Sequence, residues 1–582
     1  MEKDEVLENI RHSLSHLMSM AIQELYPQVG LGVGPVIEDG FYQDYDLPES
    51  INPDILPKLE KRMRELIKEN IKFEQHDMDF AAALDFYKND PYKTELINDL
   101  KAAGEKKVSF YKSGNFDNLC AGPHVNSTKE IDPRAFKLDR IAGAYWRGDE
   151  KNKMLTRIYG LAFKTKEELD AYLKQKEEAE KRDHKKLGKE LDLFVFSELV
   201  GSGLPLWTPK GTILRNLLDD FVWELRRDLG YLKVEIPHIT KKDLYIKSGH
   251  WEKYKDDLFR ITTREGHEFA MKPMNCPHHT QIYDRKAWSY KELPQRYANS
   301  TTCYRDEQSG ELSGLSRVRA FTQDDAHVFC RMTQVKKELG EIWDKVVEPF
   351  YKSFGFNLRL RLSLHNPAQP EKYLGDTKQW EQAETILREL AKERKTEFFE
   401  GVGEAAFYGP KLDFMATDSI GRQWQVATIQ LDMNQPERFD LTCINEKGEK
   451  ERIVMIHAAI MGSIDRFLSI LIEHVAGAFP LWLSPVQVKV IPVRENHNEY
   501  AKHVYELLKE NNIRAELDIE DKNLGGKVRD AKNNKIPYWI VIGDKEIEAG
   551  KVTLESRDNG QLGQISKEEL VTKLLEEIKN KN

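Results

Sequence analysis

From Thr165 to Leu191 the chain is dense in Glu, Lys, Asp and Arg, carries no Gly or Pro before Gly188, and opens on a capping box, Thr165-Lys-Glu-Glu168. Such a run predicts an exposed connecting helix over 165–192, its charges a solvated face rather than a nucleic-acid contact. What lies on either side must therefore bury its own core. At 582 residues the chain exceeds what one core serves, and domain-size statistics favour about three or four domains.

Before that helix, 1–164 mixes helical periodicity near its start with Gly- and Asp-rich turns, as in an α+β domain. After it, over 193–483, long helical patterns alternate with β-rich runs such as Leu358-Arg-Leu-Arg-Leu-Ser-Leu364, whose strict alternation marks a half-buried strand. An antiparallel sheet flanked by helices is expected. Beyond Ser484-Pro485 the order becomes strand 486–493, helix 499–511, strand 513–519, helix 527–534 and strand 539–542. That predicts a small α/β domain with a parallel core over 484–582. The fold class is α+β multidomain.

A composition of 40% hydrophobic and 32% charged residues is that of a globular protein and excludes disorder. The most hydrophobic stretch, Ala458 to Leu483, is interrupted by Asp465, Arg466, Glu473 and His474, and the N-terminus lacks an apolar run, so no membrane span is expected and a cytoplasmic location is. Five cysteines without regular spacing (Cys120, Cys276, Cys303, Cys330, Cys443) predict reduced thiols or metal ligands, not a disulfide framework. The net charge of -9 decides nothing about nucleic acid, because phosphate affinity comes from local clusters of Lys and Arg.

Three separated motifs carry the chemistry. The first is Gly230-Tyr-Leu-Lys-Val-Glu-Ile-Pro237; the second is Tyr304-Arg305-Asp-Glu307, continued by Gly314-Leu-Ser-Arg317-Val-Arg319-Ala-Phe321-Thr-Gln323-Asp-Asp325-Ala-His327; the third is Gly462-Ser463-Ile-Asp-Arg466. Together they resemble motifs 1, 2 and 3 of class II aminoacyl-tRNA synthetases, and the second resembles the threonyl-tRNA synthetase family in particular, with similarity over essentially the whole chain. A lone Arg and Glu two apart on a strand would more simply be a surface ion pair. Beside two further motifs that account becomes untenable.

The resemblance implies activation of L-threonine by ATP and its transfer to tRNA(Thr). In-line attack of a carboxylate on the α-phosphate needs cations on oxygens that gain charge, and guanidinium suits them. Arg305 fits that role. By resemblance Glu307 meets the adenine amino group, Phe321 and Arg466 sandwich the base, Arg317, Gln425, Thr428 and Ser463 complete the ATP site, and Mg²⁺ accompanies the phosphates. The residues matching Cys276, His327 and His457 bind one Zn²⁺ per subunit in this family, and the metal takes the substrate's amino and hydroxyl groups while Asp325 holds the hydroxyl. Gln323, Tyr408, Lys411 and Gln430 match further pocket positions, and His250 is given a part in transfer. In Met274-Asn-Cys276-Pro-His278-His279, His278 stands where the family usually has glycine, which is expected to bring a second imidazole near the metal.

At the C-terminus, Lys527, Arg529 and Glu546 match positions that meet the anticodon, although Glu520, Asp521 and Glu555 stand where the family often carries amide or basic residues. At the other end His12 and His16 lie i, i+4 on a predicted helix, opposite an apolar stripe of Ile10, Leu14, Leu17, Ala21 and Leu25, so the imidazoles are expected to face a cleft or solvent. With Cys120-Ala-Gly-Pro-His124 and Lys93 they form a set shared with editing domains of the threonyl and alanyl enzymes. That pattern leaves open both zinc and chemistry by water and side chains. The family usually has aspartate where this chain has Asn118, with Asp117 shifted by one. Bacterial members commonly begin with a further ubiquitin-like domain, which this sequence does not show.

Two other readings compete with this one. A catalytically inactive paralogue binding an amino acid or RNA would be expected to lose Arg305, Glu307, Arg466 or a zinc ligand, and all are present; a prolyl or seryl enzyme would share the ATP motifs without the cysteine-histidine set. A homodimer with motif 1 at the interface is implied by the resemblance.

Overall fold

A computed structural model describes residues 4–581. The chain forms two compact units, divided between Glu178 and Ala179.

The first unit is built on the helix Glu5–Leu25, whose N-cap Asp4 accepts from Leu7 N at 3.3 Å. Its residues Ile10, Leu14, Leu17, Met18, Ala21 and Ile22 are buried with Phe41, Tyr45, Phe136 and Ile158 of an antiparallel sheet. Leu25, expected on the apolar stripe, is 49% exposed, at the residue where the helix ends. A separate meander of Phe73–Met78, Val108–Ser113 and Phe116–Leu119 completes this unit's strands.

The single helix expected over 165–192 is instead two, Lys166–Arg182 and His184–Glu190. The break has a local cause: Asp183 turns its carboxylate onto Lys185 N at 2.7 Å and caps a new helix.

The second unit holds an eight-stranded sheet. Its strands are β1 (Leu232–Lys233), β2 (Gln295–Tyr304), β3 (Ala320–Cys330), β4 (Asn357–Leu364), β5 (Phe398–Val402), β6 (Lys411–Thr417), β7 (Gln423–Asp432) and β8 (Val454–Ser463). They lie in the order β1-β2-β3-β8-β7-β6-β4-β5, antiparallel except for the parallel pair at each edge. Helices Pro209–Arg227, Thr377–Glu393 and Ile464–His474 cover one face and share a core with Leu360, Leu412, Ile429 and Ile456. The opposite face carries the site.

From Val488 a smaller sheet follows, with three parallel strands, Ala515–Leu517, Val488–Pro492 and Tyr538–Ile542, as the βαβ pattern predicted. Two antiparallel strands, Val552–Ser556 and Gly560–Ile565, extend it. Among the described residues no helix is long and apolar enough to cross a membrane.

Candidate active site

Antiparallel pairing puts directly opposed residues on one face of the sheet. In β3, β8, β7 and β6 the residues His327, His457, Gln430 and Lys411 are opposed in a row. The period of two places Phe321, Gln323 and Asp325 on the same face of β3 as His327. Cys276 comes from outside the sheet, as the first residue of the helix Cys276–Tyr283, where Pro277 costs no hydrogen bond.

One ligand atom from each of Cys276, His327 and His457 lies within 4.8 Å of the others, and all three residues are buried. His457 Nε2 is 2.9 Å from Asp432 Oδ2, so it carries the proton and donates. The lone pair on His457 Nδ1 therefore faces His327 Nε2 at 3.0 Å. Asp432 is held in turn, its other oxygen accepting from Asn434 N and Gln435 N at 2.8 and 2.9 Å. His250 Nε2 lies 3.6 Å from Cys276 Sγ, and Asn275 Nδ2 donates to Asp325 Oδ2 at 3.2 Å. Burial drives the Cys276 thiol well above and the His327 imidazole well below its ordinary range, so both are neutral without a cation.

Of the two imidazoles that follow Cys276, the one touching this set is not that of His278. His279 Nδ1 sits 2.8 Å from His327 Nδ1, whereas both ring nitrogens of His278 are buried without a partner among the described residues. The reason is helical geometry: Cys276 and His279 are three apart and share a face, and His278 is turned away from it.

The Arg305 guanidinium lies 5.1 and 5.2 Å from the ring centroids of Phe321 and Tyr254, and its buried Nε has no partner among the described residues. Glu307 pairs with Arg317 Nε at 2.7 Å. Ser463 caps the helix Ile464–His474 by accepting from Arg466 N at 3.1 Å, which fixes where Arg466 starts, and β3 pairs Gln323 with Ser463. Gln425 and Thr428 join a network the motifs did not reveal: Arg361 donates to Gln425 at 2.6 Å and to Asp413 at 3.0 Å, and Asp413 also accepts from Thr428 and from Lys411. Tyr408 OH donates to Gln430 Oε1 at 2.7 Å and its ring stacks on His457.

Of the C-terminal candidates, Lys527 is buried and donates to the carbonyls of Asp518 and Pro492 at 2.9 and 3.4 Å. Glu546 accepts from Gly543 N, Thr553 and Gln564. Arg529 is exposed.

In the first unit His12, His16, Cys120 and His124 bring ligand atoms within 4.8 Å of one another. Ser13 Oγ donates to Asn9 O at 2.8 Å, so it accepts from His124 Nδ1 at 3.1 Å, and the lone pair on His124 Nε2 points at Cys120 Sγ, 3.3 Å away. His12 Nδ1 donates to Pro123 O at 3.0 Å, which leaves a second lone pair 3.3 Å from the same sulfur. His12 lies half-buried at the mouth, but His16 is buried rather than facing solvent, because Phe73 and Phe116 pack on its ring. Burial lowers His124 to about 3 and Lys93 to about 8. Asp117 does not replace the missing aspartate: strand alternation turns it to the other face, 3.0 Å from His76 Nε2, while Asn118 accepts from Tyr87 OH at 2.9 Å.

Comparison with known proteins decides the family. Residues 259–475 match the tRNA synthetase class II core domain (G, H, P, S and T), 487–577 the anticodon binding domain, and 108–159 the threonyl and alanyl tRNA synthetase second additional domain. A threonine–tRNA ligase of Acetivibrio thermocellus is 47% identical over 98% of this chain and 88% of its own, and one of Clostridium tetani 46% identical over 100% and 89%. The chain belongs to the threonyl-tRNA synthetase family. Among solved structures, the RNA binding domain of threonyl-tRNA synthetase from Cryptosporidium parvum aligns with a TM-score of 0.65 at 36% identity, covering 68% of this chain and 98% of its own. A putative threonyl-tRNA synthetase from Aeropyrum pernix aligns with a TM-score of 0.61 at 30% identity, covering 69% and 97%. The chemistry of this synthetase is thus ATP-dependent ligation of threonine to tRNA(Thr), with an editing domain and Mg²⁺ implied by ATP use.

Proposed function

We propose that 193–483 activates L-threonine and passes it to tRNA(Thr), that 1–164 hydrolyses mischarged seryl-tRNA(Thr), and that 484–582 meets the anticodon. The observation that carries this is the buried trio Cys276, His327 and His457 beside Asp325. Two imidazole nitrogens 3.0 Å apart, with a thiol in the same cluster, suit a tetrahedral ion that keeps its fourth position open, and the mixed sulfur-nitrogen donor set favours Zn²⁺. Cys276 Sγ, His327 Nε2 and His457 Nδ1 would hold it, and when bound it supplies a Lewis acid for the substrate's amino and hydroxyl groups.

The rest of the work belongs to the chain. Asp325, steadied by Asn275, accepts a hydrogen bond from the threonine hydroxyl. Valine offers nothing to that carboxylate, and a site built around a hydroxyl rejects the analogue lacking it by about 10⁴ or more. Gln323 and Arg305 stand further along the same face, where Arg305 meets the α-phosphate as its charge grows. Phe321 and Arg466 hold the adenine, Glu307 its amino group, and Arg317 the outer phosphates. His250, 3.6 Å from Cys276 Sγ, takes part in passing the threonyl group to the tRNA.

We also assign a homodimer and a cytoplasmic location. The two-residue strand β1, part of motif 1, ends the sheet with Leu232 57% exposed, an unprotected edge that a second copy would cover. Metal content measured alongside amino-acid-dependent pyrophosphate exchange for all twenty amino acids tests the central reading. About one zinc per chain is expected, with exchange strongest for threonine, about 10–200-fold weaker for serine and negligible for valine; full threonine exchange in metal-free protein would overturn it. Sedimentation as a monomer at micromolar concentration would overturn the dimer.

A further inference from the structure

We propose that His184 is a positioning residue for ATP: it pins the tip of the loop joining β2 to β3 by accepting the backbone N–H of Leu315. The inference rests on the assignment of Glu307, Arg317 and Phe321 to the ATP site.

His184 opens the helix His184–Glu190 and is buried. Its Nε2 lies 3.0 Å from Leu315 N. An amide N–H can only donate, so Nε2 holds the lone pair and Nδ1 the proton. That proton goes to Glu473 Oε1 at 2.7 Å, and the same oxygen accepts His184 N at 3.2 Å. The second oxygen of Glu473 is 2.7 Å from Arg422, which also donates to Asp418 at 2.7 Å. Asp183, His184 and Glu473 are close enough to hold a cation. Their lone pairs, however, are already committed, Asp183 to the cap on Lys185 N, and Arg422 supplies the positive charge. The cluster is a clamp.

The loop is shaped to be clamped. Gly314 has φ +51°, and a Cβ there would stand 2.3 Å from His184 Nε2, so the ring seats only against glycine. Leu315 is fully buried in the main core, and Ser316 Oγ meets Ser469 Oγ at 3.3 Å. Ser313 N donates to Arg317 O at 3.1 Å and closes the turn. From that fixed tip the return arm brings Arg317 Nε to the Glu307 carboxylate at 2.7 Å and Arg319 Nε to the Glu307 carbonyl at 3.0 Å. Where the tip sits therefore decides where Glu307 and Arg317 sit.

The test uses steady-state pyrophosphate exchange by the full-length enzyme with ATP varied. His184→Gln retains an acceptor at the Nε2 position, whereas His184→Asn retains only a donor to Glu473. Losing the acceptor leaves a buried N–H unpaired, so His184→Asn and His184→Ala are expected to raise the KM for ATP roughly ten-fold with a smaller change in kcat. His184→Gln is expected to stay within about twofold of the parent. A tether without the loop contact predicts the reverse order, and finding Asn equal to or better than Gln would overturn the proposal. If His184→Ala does not fold, the Gln and Asn pair still decides. Arg317→Ala separates the two layers of argument: an unchanged KM there removes the assignment of the loop to ATP, and the clamp's role with it. A raised KM in Arg317→Ala with normal values in His184→Asn removes the clamp alone.

Discussion

His327 Nε2 and His457 Nδ1 face each other at 3.0 Å across β3 and β8, each braced from behind, His327 by His279 at 2.8 Å and His457 by Asp432 at 2.9 Å. Two buried lone-pair sites so close exist comfortably only if one is protonated or a cation sits between them. Burial disfavours a charge on His327 and on the Cys276 thiol, so neither brings to the pair the charge that a bound cation would supply.

Removing a ligand should therefore remove the metal and the reaction together. Cys276→Ser is expected to lose bound zinc on dialysis and to lose threonine-dependent pyrophosphate exchange, while its circular dichroism stays that of the parent. Metal analysis and exchange on the same preparation check this.

Asp432 is expected to matter nearly as much as the ligands, though it touches no substrate. It fixes the His457 tautomer, and such carboxylates typically contribute about 10–100-fold in metal affinity. Asp432→Asn should lower zinc affinity by that order in a competition titration with a chelator, with activity restored by added zinc. Unchanged affinity would mean that the His457 orientation is set elsewhere.

Arg305→Ala should leave the fold intact, since the guanidinium gives up a weak contact to Met274 Sδ at 3.3 Å and its Nε has no partner among the described residues. Removing a positioned charge donor typically costs about 10²–10³ in rate. Near-normal exchange in the purified mutant would rule the role out.

Much of the fold was legible because its signals are local. The alternation in Leu358–Leu364 and the βαβ rhythm after Ser484 each became the expected strands and helices. The charged run was legible as helix but not as two, since Thr165 caps the first and Asp183 the second, and one more Asp inside a charge-dense run carries no distinct signal. In the site, the family resemblance pointed to Cys276, His327 and His457, but not to the residues that hold them. Asp432 had a usable signal, the period of two that puts it on the same face of β7 as Gln430. The link from Arg361 to Asp413 had none, because it depends on the pairing of β4 with β6, which no single stretch of sequence encodes.

The first unit makes a separable prediction. With two lone pairs aimed at Cys120 Sγ, His12 and His124 are arranged to take a proton from a water or to hold a cation, and neither serves threonine activation. A methyl group separates threonine from serine by only about 10–200-fold, so a hydrolytic site is needed. His12→Ala with Cys120→Ala is expected to abolish deacylation of seryl-tRNA(Thr) without changing pyrophosphate exchange. Equal accumulation of seryl-tRNA(Thr) by the intact enzyme and the double mutant would refute the assignment.

Lys93 allows the same site to be tested by pH. It is 5% exposed, and burial, partly offset by Asp90 and Cys120, pulls its ammonium down to about 8. The ordinary value is about 10.4. Between those two pH values the unfolded chain holds the proton and the folded one has released it, so linkage makes the first unit more stable as pH rises through that window. Below about 8 the penalty of a buried ammonium is present in full, an upper bound of roughly 3 kcal/mol from the size of the shift. Lys93→Met should remove it: hydrogen exchange in the full-length protein is expected to slow across the first unit at pH 7, with the difference closing by about pH 10.5. The same variant should lose seryl-tRNA(Thr) hydrolysis, stability gained where function required the charge to be buried. Direct titration of the lysine by NMR after reductive methylation decides the point, and a Lys93 midpoint above 10 would remove both expectations.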